Sequence, residues 1–243
     1  TRQRAALVTV IETRGSTPRK PGAKMLVFSD GRTKGSIGGG RVEYKVIKAA
    51  QKVLKTEHTQ IIEYHLTSEL AMCCGGKMTF FVESLVPHPP LMIFGCGHVG
   101  SAIIHAASPL QFELIAIDDH EQNLAPEKLP QAEQRLASYE PEDLKTLPFG
   151  PQAFIVIATR DHSLDQKLLE FCSKQQFQYL GIIGSQRKAT MQIERLRAKN
   201  FSDDVIDRIR CPIGLSIGAV TPSEIAISVC AELIAERRSN ADD

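Results

Sequence analysis

Four runs in the second half of the chain leave little freedom in how it folds: residues 91–95 (LMIFG), 112–119 (FELIAIDD), 153–160 (AFIVIATR) and 179–184 (YLGIIG). Each has the length of a strand and is almost continuously apolar. A strand with one face in water alternates apolar and polar side chains; a strand covered on both faces does not. These runs therefore read as parallel strands inside a layered α/β unit. Helical patterns over residues 163–175 and 185–200 lie between or after them, as a doubly wound sheet requires. Thr221, Pro222 and Glu224 announce a final helix, with the spacing of a capping box and proline at the first helical position.

The first half keeps a different rhythm. Residues 6–13 (ALVTVIET), 24–28 (KMLVF), 60–66 (QIIEYHL) and 77–85 (KMTFFVESL) read as strands separated by turn-forming stretches. Val42, Val46, Ala49, Ala50, Val53 and Leu54 recur at helical spacing after the glycine-rich GSIGGG, so that loop opens a helix. The stretch VPHPP over residues 86–90 restrains the backbone and donates little to a ladder, which makes it a stiff connection. The expected organisation is a small α+β domain over residues 1–86, a linker over 87–90, and a second domain over 91–243.

A chain of 243 residues with 42% hydrophobic and 23% charged residues has ordinary globular composition, and a net charge of +1 supplies no general attraction to nucleic acid or acidic membranes. No run reaches the length of a membrane span, and the first residues enter a strand pattern without the features of a cleavable leader. The six cysteines, at 73, 74, 96, 172, 211 and 230, are irregularly spaced and form no CxxC pair. They point to a reducing, cytoplasmic setting rather than a disulfide framework.

Two glycine-rich bends carry the chemistry. GCGHVG places Gly95, Gly97 and Gly100 directly after a predicted strand and at the opening of a helix. The first allows a tight turn, the second lets backbone approach a phosphate, and the third lets helix and strand pack closely. The exposed amides and positive end of that helix suit an anion. Asp118 ends the next strand, where an acidic side chain accepts a ribose hydroxyl. Together these define a Rossmann-type domain. His98 lies inside the turn, either against a ligand or on the solvent side, and His105 further along the helix reads as structural. In the first domain Gly38, Gly39 and Gly40 precede Arg41, with Arg14, Arg19 and Lys20 nearby. That bend is either a second anion cradle or simply a flexible connection with solvated charges. Tyr44 and Lys48 have the spacing of a dehydrogenase proton-transfer pair but precede the Rossmann turn, so chance explains them better.

Cys73 and Cys74 precede Gly75 and Gly76. Neighbouring cysteines bond to each other only with strain, and two thiols are too few for a closed zinc site. They are either thiols activated by nearby donors, acting as nucleophile or soft-metal ligand, or buried filler. Cys74 is the preferred metal contact because the glycines beside it permit close approach. The remaining cysteines sit in apolar contexts and read as core.

GSTPRKPGAKM, GSIGGGRVE, MCCGG, FGCGHVG, the strand end IDD, GIIGSQRK and PIGLSIGAVTPSEIAISVCAEL occur in an order that resembles the XdhC/CoxI family, from about Gly15 to Leu233. The resemblance implies a maturation factor rather than an enzyme in its own right. It would bind molybdenum cofactor (molybdopterin), assist exchange of a terminal oxo for a sulfido ligand, and deliver the product to an apo-molybdenum hydroxylase of the xanthine dehydrogenase type. The implied partners are that hydroxylase, a cysteine desulfurase and a second copy of the chain. Cys73, Cys74, Gly75 and Gly76 match the family's cysteine-glycine loop, and Gly38, Gly39, Gly40 and Glu43 its glycine-rich segment. Arg41 stands where some members have cysteine, and Arg160 stands where the family's Thr-His-Asp-His stretch has its first histidine, so neither replaced side chain's role carries over. The alternatives are an NAD(P)-dependent oxidoreductase, which leaves the first domain's loops idle, and a nucleotide-sensing module.

Overall fold

The computed structural model describes residues 4–56, 58–66 and 75–239, and the chain divides into two compact units, residues 1–87 and 88–243.

The first unit is a five-stranded antiparallel sheet with one long helix. Its strands are β1 (Ala5–Arg14), β2 (Lys24–Phe28), β3 (Thr33–Gly35), β4 (Gln60–His65) and β5 (Lys77–Leu85), in the order β3-β2-β1-β5-β4, and its helix is α1 (Gly40–Thr56). Val42, Val46, Ala50 and Val53 of α1 are buried together with Val8, Val10, Met25, Val27, Phe80 and Val82 of the sheet. These positions alternate along each strand, so one face packs on the helix while Ile61 on β4 stays 69% exposed. The pairing of β1 with β5 shifts by one residue between Val10 and Glu12, a bulge that bends β1 near its end.

The second unit holds the expected parallel sheet. β6 (Pro90–Phe94), β7 (Glu113–Ile117), β8 (Gln134–Leu136), β9 (Phe154–Ile157), β10 (Tyr179–Ile182) and β11 (Ile209–Arg210) are arranged β11-β10-β9-β6-β7-β8, all parallel. Leu91 and Ile93 of β6 join one core with α2 (His98–Ala107) and α7 (Pro222–Ser239). Met92 and Phe94 join the other, with α4 (His162–Cys172) and α5 (Gln186–Ala198). Helices on both faces are why the strand sequences lack alternation. The short α3 (Pro141–Leu144) and α6 (Asp203–Ile206), with β3, β8 and β11, escape the sequence pattern because elements of two to four residues carry too little periodicity. The capping box of α7 is formed: Glu224 accepts the amides of Val220 and Thr221 at 2.9 Å, and Thr221 Oγ1 accepts the Glu224 amide at 3.3 Å. Among the described residues, no helix is long and apolar enough to cross a membrane.

Candidate functional site

Strand order in the second unit reverses between β6 and β9. In open α/β sheets the helices leaving such a reversal go to opposite faces, and the crevice left at the carboxyl ends of the strands takes ligands. Gly95, Cys96 and Gly97 form the turn that leaves β6. Gly95 has φ +92°, and a Cβ there would strike the Ala158 carbonyl at the end of β9. A Cβ on Gly100 would overlap the Gly95 carbonyl oxygen, so this glycine sets how closely α2 sits on the turn. Gly97 is different. It is exposed, nothing lies within 4 Å of its missing Cβ, and it heads α2 with no side-chain cap. Its role is room: the first amides of α2 face an approach that no side chain obstructs. His98 is exposed and, with Ser101, His105 and Ile227, lines a separate hollow of about 580 Å³.

Asp118 lies at the end of β7, as the motif places it, but its carboxylate serves the fold. The residue is 3% exposed; Oδ2 accepts the Cys96 amide at 2.7 Å and the Asn123 side-chain amide at 3.1 Å, and Oδ1 accepts the His120 amide at 2.8 Å. Such a carboxylate locks the turn to the neighbouring loop and has little left for a ribose. The solvent-facing acid is Asp119. Arg160, in the loop after β9, grips it with both guanidinium nitrogens, at 2.8 and 3.0 Å. That ion pair runs from the loop on one side of β6 to the loop on the other, and the Arg160 hydrogen bonds hold the Asp119 carboxyl below the usual carboxylate range. Cys96, in the turn itself, is no nucleophile: burial, helped by Asp118, pushes its thiol up to about 12.

A second cluster braces the loops after β9 and β10. Asp165, fully buried on α4, accepts the Thr159 amide at 3.1 Å and its hydroxyl at 2.6 Å through Oδ1, and Lys188 Nζ at 2.7 Å through Oδ2. Lys188, from α5, also donates to the Ile183 carbonyl at 3.3 Å. Neither residue was given a role from the sequence, although Lys188 ends the GIIGSQRK motif. The available signal was an aspartate between apolar helix positions, Leu164 and Leu168, where an unpaired charge is not tolerated.

In the first unit, Gly38 packs on Pro18, and Gly76 on the backbone of Arg14 and Ser16, so the glycine bend and the end of the cysteine loop both border the Arg14–Arg19 turn. The bend supplies its own anion. Glu43 Oε2 accepts the Ser36 hydroxyl at 2.7 Å and the amides of Gly39 and Ile37 at 3.0 and 3.1 Å, while the Gly38 amide goes to Ser36. Burial opposes ionisation of Glu43, but these donors outweigh it and lower its pKa. Gly40 opens α1 and Arg41 follows it, exposed; among the described residues Arg19, Lys20 and Arg41 make no ion pair. Gly75 is exposed and Gly76 buried, whereas Cys73 and Cys74 lie outside the described residues.

A parallel sheet in this strand order, with a glycine turn and an uncapped helix at its reversal, defines a Rossmann-type unit, here following an antiparallel α+β unit in one chain. Residues 91–233 match the family model described as the XdhC Rossmann domain and residues 1–65 that of the XdhC and CoxI family, and the chain belongs to this family. It is 35% identical over 234 residues to the uncharacterized protein YqeB of Escherichia coli K12, 29% over 158 residues to a probable xanthine dehydrogenase subunit of Bacillus subtilis 168, and 25% over 275 residues to the molybdenum cofactor insertion chaperone PaoD of Escherichia coli K12. These matches cover 94%, 65% and 98% of this chain. The chain spans less than half the length of the first two relatives, 43% and 46%, and 85% of the third. A solved Bacillus halodurans structure described as a xanthine dehydrogenase shares the fold, with a TM-score of 0.56 and 23% identity over 98% of this chain and 93% of that one.

Proposed function

We propose that this chain is a maturation factor that binds molybdenum cofactor as cargo and delivers it to an apo-molybdenum hydroxylase. The observation that carries this reading is the bend at Gly95–Gly100, where an uncapped helix end faces free space beside Gly97. The pterin cofactor ends in a phosphate, and peptide N–H groups at such a helix end suit a phosphate without requiring a charged side chain. The name of the E. coli chaperone, aligned over nearly the whole chain, supports the same cargo.

In this reading the Gly97 and His98 amides hold the phosphate end, Gly95 and Gly100 let strand and helix close tightly behind them, and Asp118 holds the turn in shape. Gly38, Gly39, Gly40 and Glu43 shape the first unit's bend, where Arg41 and Gly40 offer an exposed positive start to α1. Cys73 and Cys74, next to Gly75 and Gly76 in the sequence, are the thiols of this proposal, with Cys74 as the metal contact, because a soft centre favours thiolate. Exchange of the terminal oxo for a sulfido ligand, a cysteine desulfurase as sulfur source, a homodimeric state and a cytoplasmic location belong to this proposal. NAD(P) is the competing ligand. With one Asp118 oxygen taken by the Cys96 and Asn123 amides and the other by the His120 amide, the acid that reads a ribose in nicotinamide enzymes is not free at that position.

The test is anaerobic incubation of the protein with molybdenum cofactor, and separately with NAD, followed by desalting. Retention of molybdenum and pterin together, lost in Gly97→Val, supports the reading. Retention of NAD alone overturns it. Replacing both Cys73 and Cys74 by alanine is expected to abolish activation of the client enzyme; full activation by that variant removes the thiols from the mechanism.

A further inference from the structure

Five basic side chains form a line along the outside of α1. Arg41, Lys45, Lys48, Lys52 and Lys55 are all exposed. Their alternating separations of four and three residues keep them within about 80° of the helix circumference, over a length of about 21 Å. Val42, Val46, Ala50 and Val53 occupy the side that packs on the sheet. Among the described residues none of the five makes an ion pair. Lys45 and Lys48 lie 5.7 Å from the ring centres of Tyr64 and Tyr44, contacts that leave their charge in place. The line works against its own helix. Arg41 with Lys45 and Lys48 with Lys52 are like charges four residues apart, Lys45 with Lys48 and Lys52 with Lys55 three apart, and such pairs weaken a helix. Arg41 also stands in the first turn, where the helix dipole favours acids. Glu43, the one acid of α1, is taken by the glycine bend. Charge is segregated along the chain as well: residues 1–87 hold 14 Lys and Arg against 7 Asp and Glu, and residues 88–243 hold 15 against 21. Neither feature helps the first unit fold, and a partner of opposite sign turns the first into an attraction.

We propose that the outer face of α1 docks an acidic surface on the protein that receives the cargo. Nucleic acid and acidic membrane have the same sign but fit less well. A single strand stacks its bases on aromatic platforms, and Tyr44, 64% exposed beside the line, has its ring covered by Lys48. A long polyanion is also repelled by the excess of acids in the second unit. A helix lying on a membrane inserts its apolar face, and the apolar face of α1 is in the core. An acidic protein patch of helix length meets none of these obstacles. A row of lysines with no apolar centre speeds encounter and fixes orientation more than it prolongs contact. That suits a partner that takes its cargo and leaves. The inference rests on the reading that the cargo is delivered to a protein, and adds the face on which that protein lands.

The test uses the full chain and each molybdenum hydroxylase of the source organism, purified without its cofactor, with association followed by biolayer interferometry. At least one is expected to bind, and to associate about tenfold more slowly in about 300 mM salt than in about 50 mM. Lys45→Glu, Lys48→Glu and Lys52→Glu together slow association at low salt by at least about tenfold. The same three positions changed to glutamine give an intermediate rate and melt no lower than the parent, because repulsion within α1 is relieved. Lys128→Glu, Arg195→Glu and Arg238→Glu, an equal change of charge at exposed positions of the second unit, slow association less than about threefold, since distant charges are screened. If reversal on α1 slows association no more than reversal in the second unit, the docking face is overturned. It is overturned too if no hydroxylase binds, including the case where duplex DNA or phosphatidylserine vesicles bind through α1 instead. Desalting with molybdenum cofactor judges the cargo reading separately. The α1 variant is expected to retain cofactor as the parent does; a parent that binds hydroxylase through α1 but retains no cofactor overturns that reading and leaves the docking face standing.

Discussion

Two carboxylates show how a residue's surroundings decide its work. Glu43 accepts three donors from its own glycine bend, so Glu43→Gln is expected to cost about 1 to 2 kcal/mol at pH 7, measured by urea unfolding. The folded carboxyl titrates below its ordinary value of 4.5. The stabilising contribution is therefore complete above pH 4.5 and disappears as pH falls through the lower, folded value. Parent and variant should converge in acid; a gap that stays constant with pH would show that ionisation of Glu43 does not hold the bend. Asp165 is the opposite case, fully buried, with Lys188 and Thr159 depending on it. Asp165→Ala strands the lysine and is expected to cost about 3 kcal/mol, whereas the double change to Asp165→Leu with Lys188→Met recovers much of that loss. Denaturation midpoints of the two variants check this, and a double variant no more stable than the single one contradicts it.

At the scale of elements, the turn between β6 and α2 separates what glycine does for folding from what it does for binding. Gly100→Ala drives a methyl into the Gly95 carbonyl and is expected to lower stability by about 2 kcal/mol or more. Gly97→Ala meets nothing within 4 Å and should cost less than about 1 kcal/mol, yet it narrows the space in front of the helix amides. Thermal melting should therefore fall only in the first variant, while pyrophosphate binding, measured by calorimetry, falls in the second without loss of fold. Equal melting losses would show that the space at Gly97 is structural. The motif named both glycines from sequence because the strand before them and the helix after them were legible. It did not separate their duties, since that depends on which backbone lies opposite, the Gly95 carbonyl for one and open solvent for the other.

At the scale of the molecule, each unit has its own core: α1 on an antiparallel sheet in one, helices on both faces of a parallel sheet in the other. Residues 88–243 expressed alone are expected to give a soluble protein with one cooperative unfolding transition in scanning calorimetry, and a fragment without a transition would refute the independence of its core. Runs of apolar residues and glycine spacing, read along the chain, determined the parallel sheet, the small α+β unit before it, the turn at residues 95–100 and the cap of α7. They did so because burial on two faces, close backbone approach and helix ends each demand particular residue types at particular separations. The duties of the polar groups were decided only by the tertiary structure. Asp118 lies 22 residues from the Cys96 amide it accepts, and Arg160 lies 41 from the Asp119 it grips. Whether a carboxylate is taken up or free depends on donors brought beside it by strand order, a quantity with no periodic trace in the sequence.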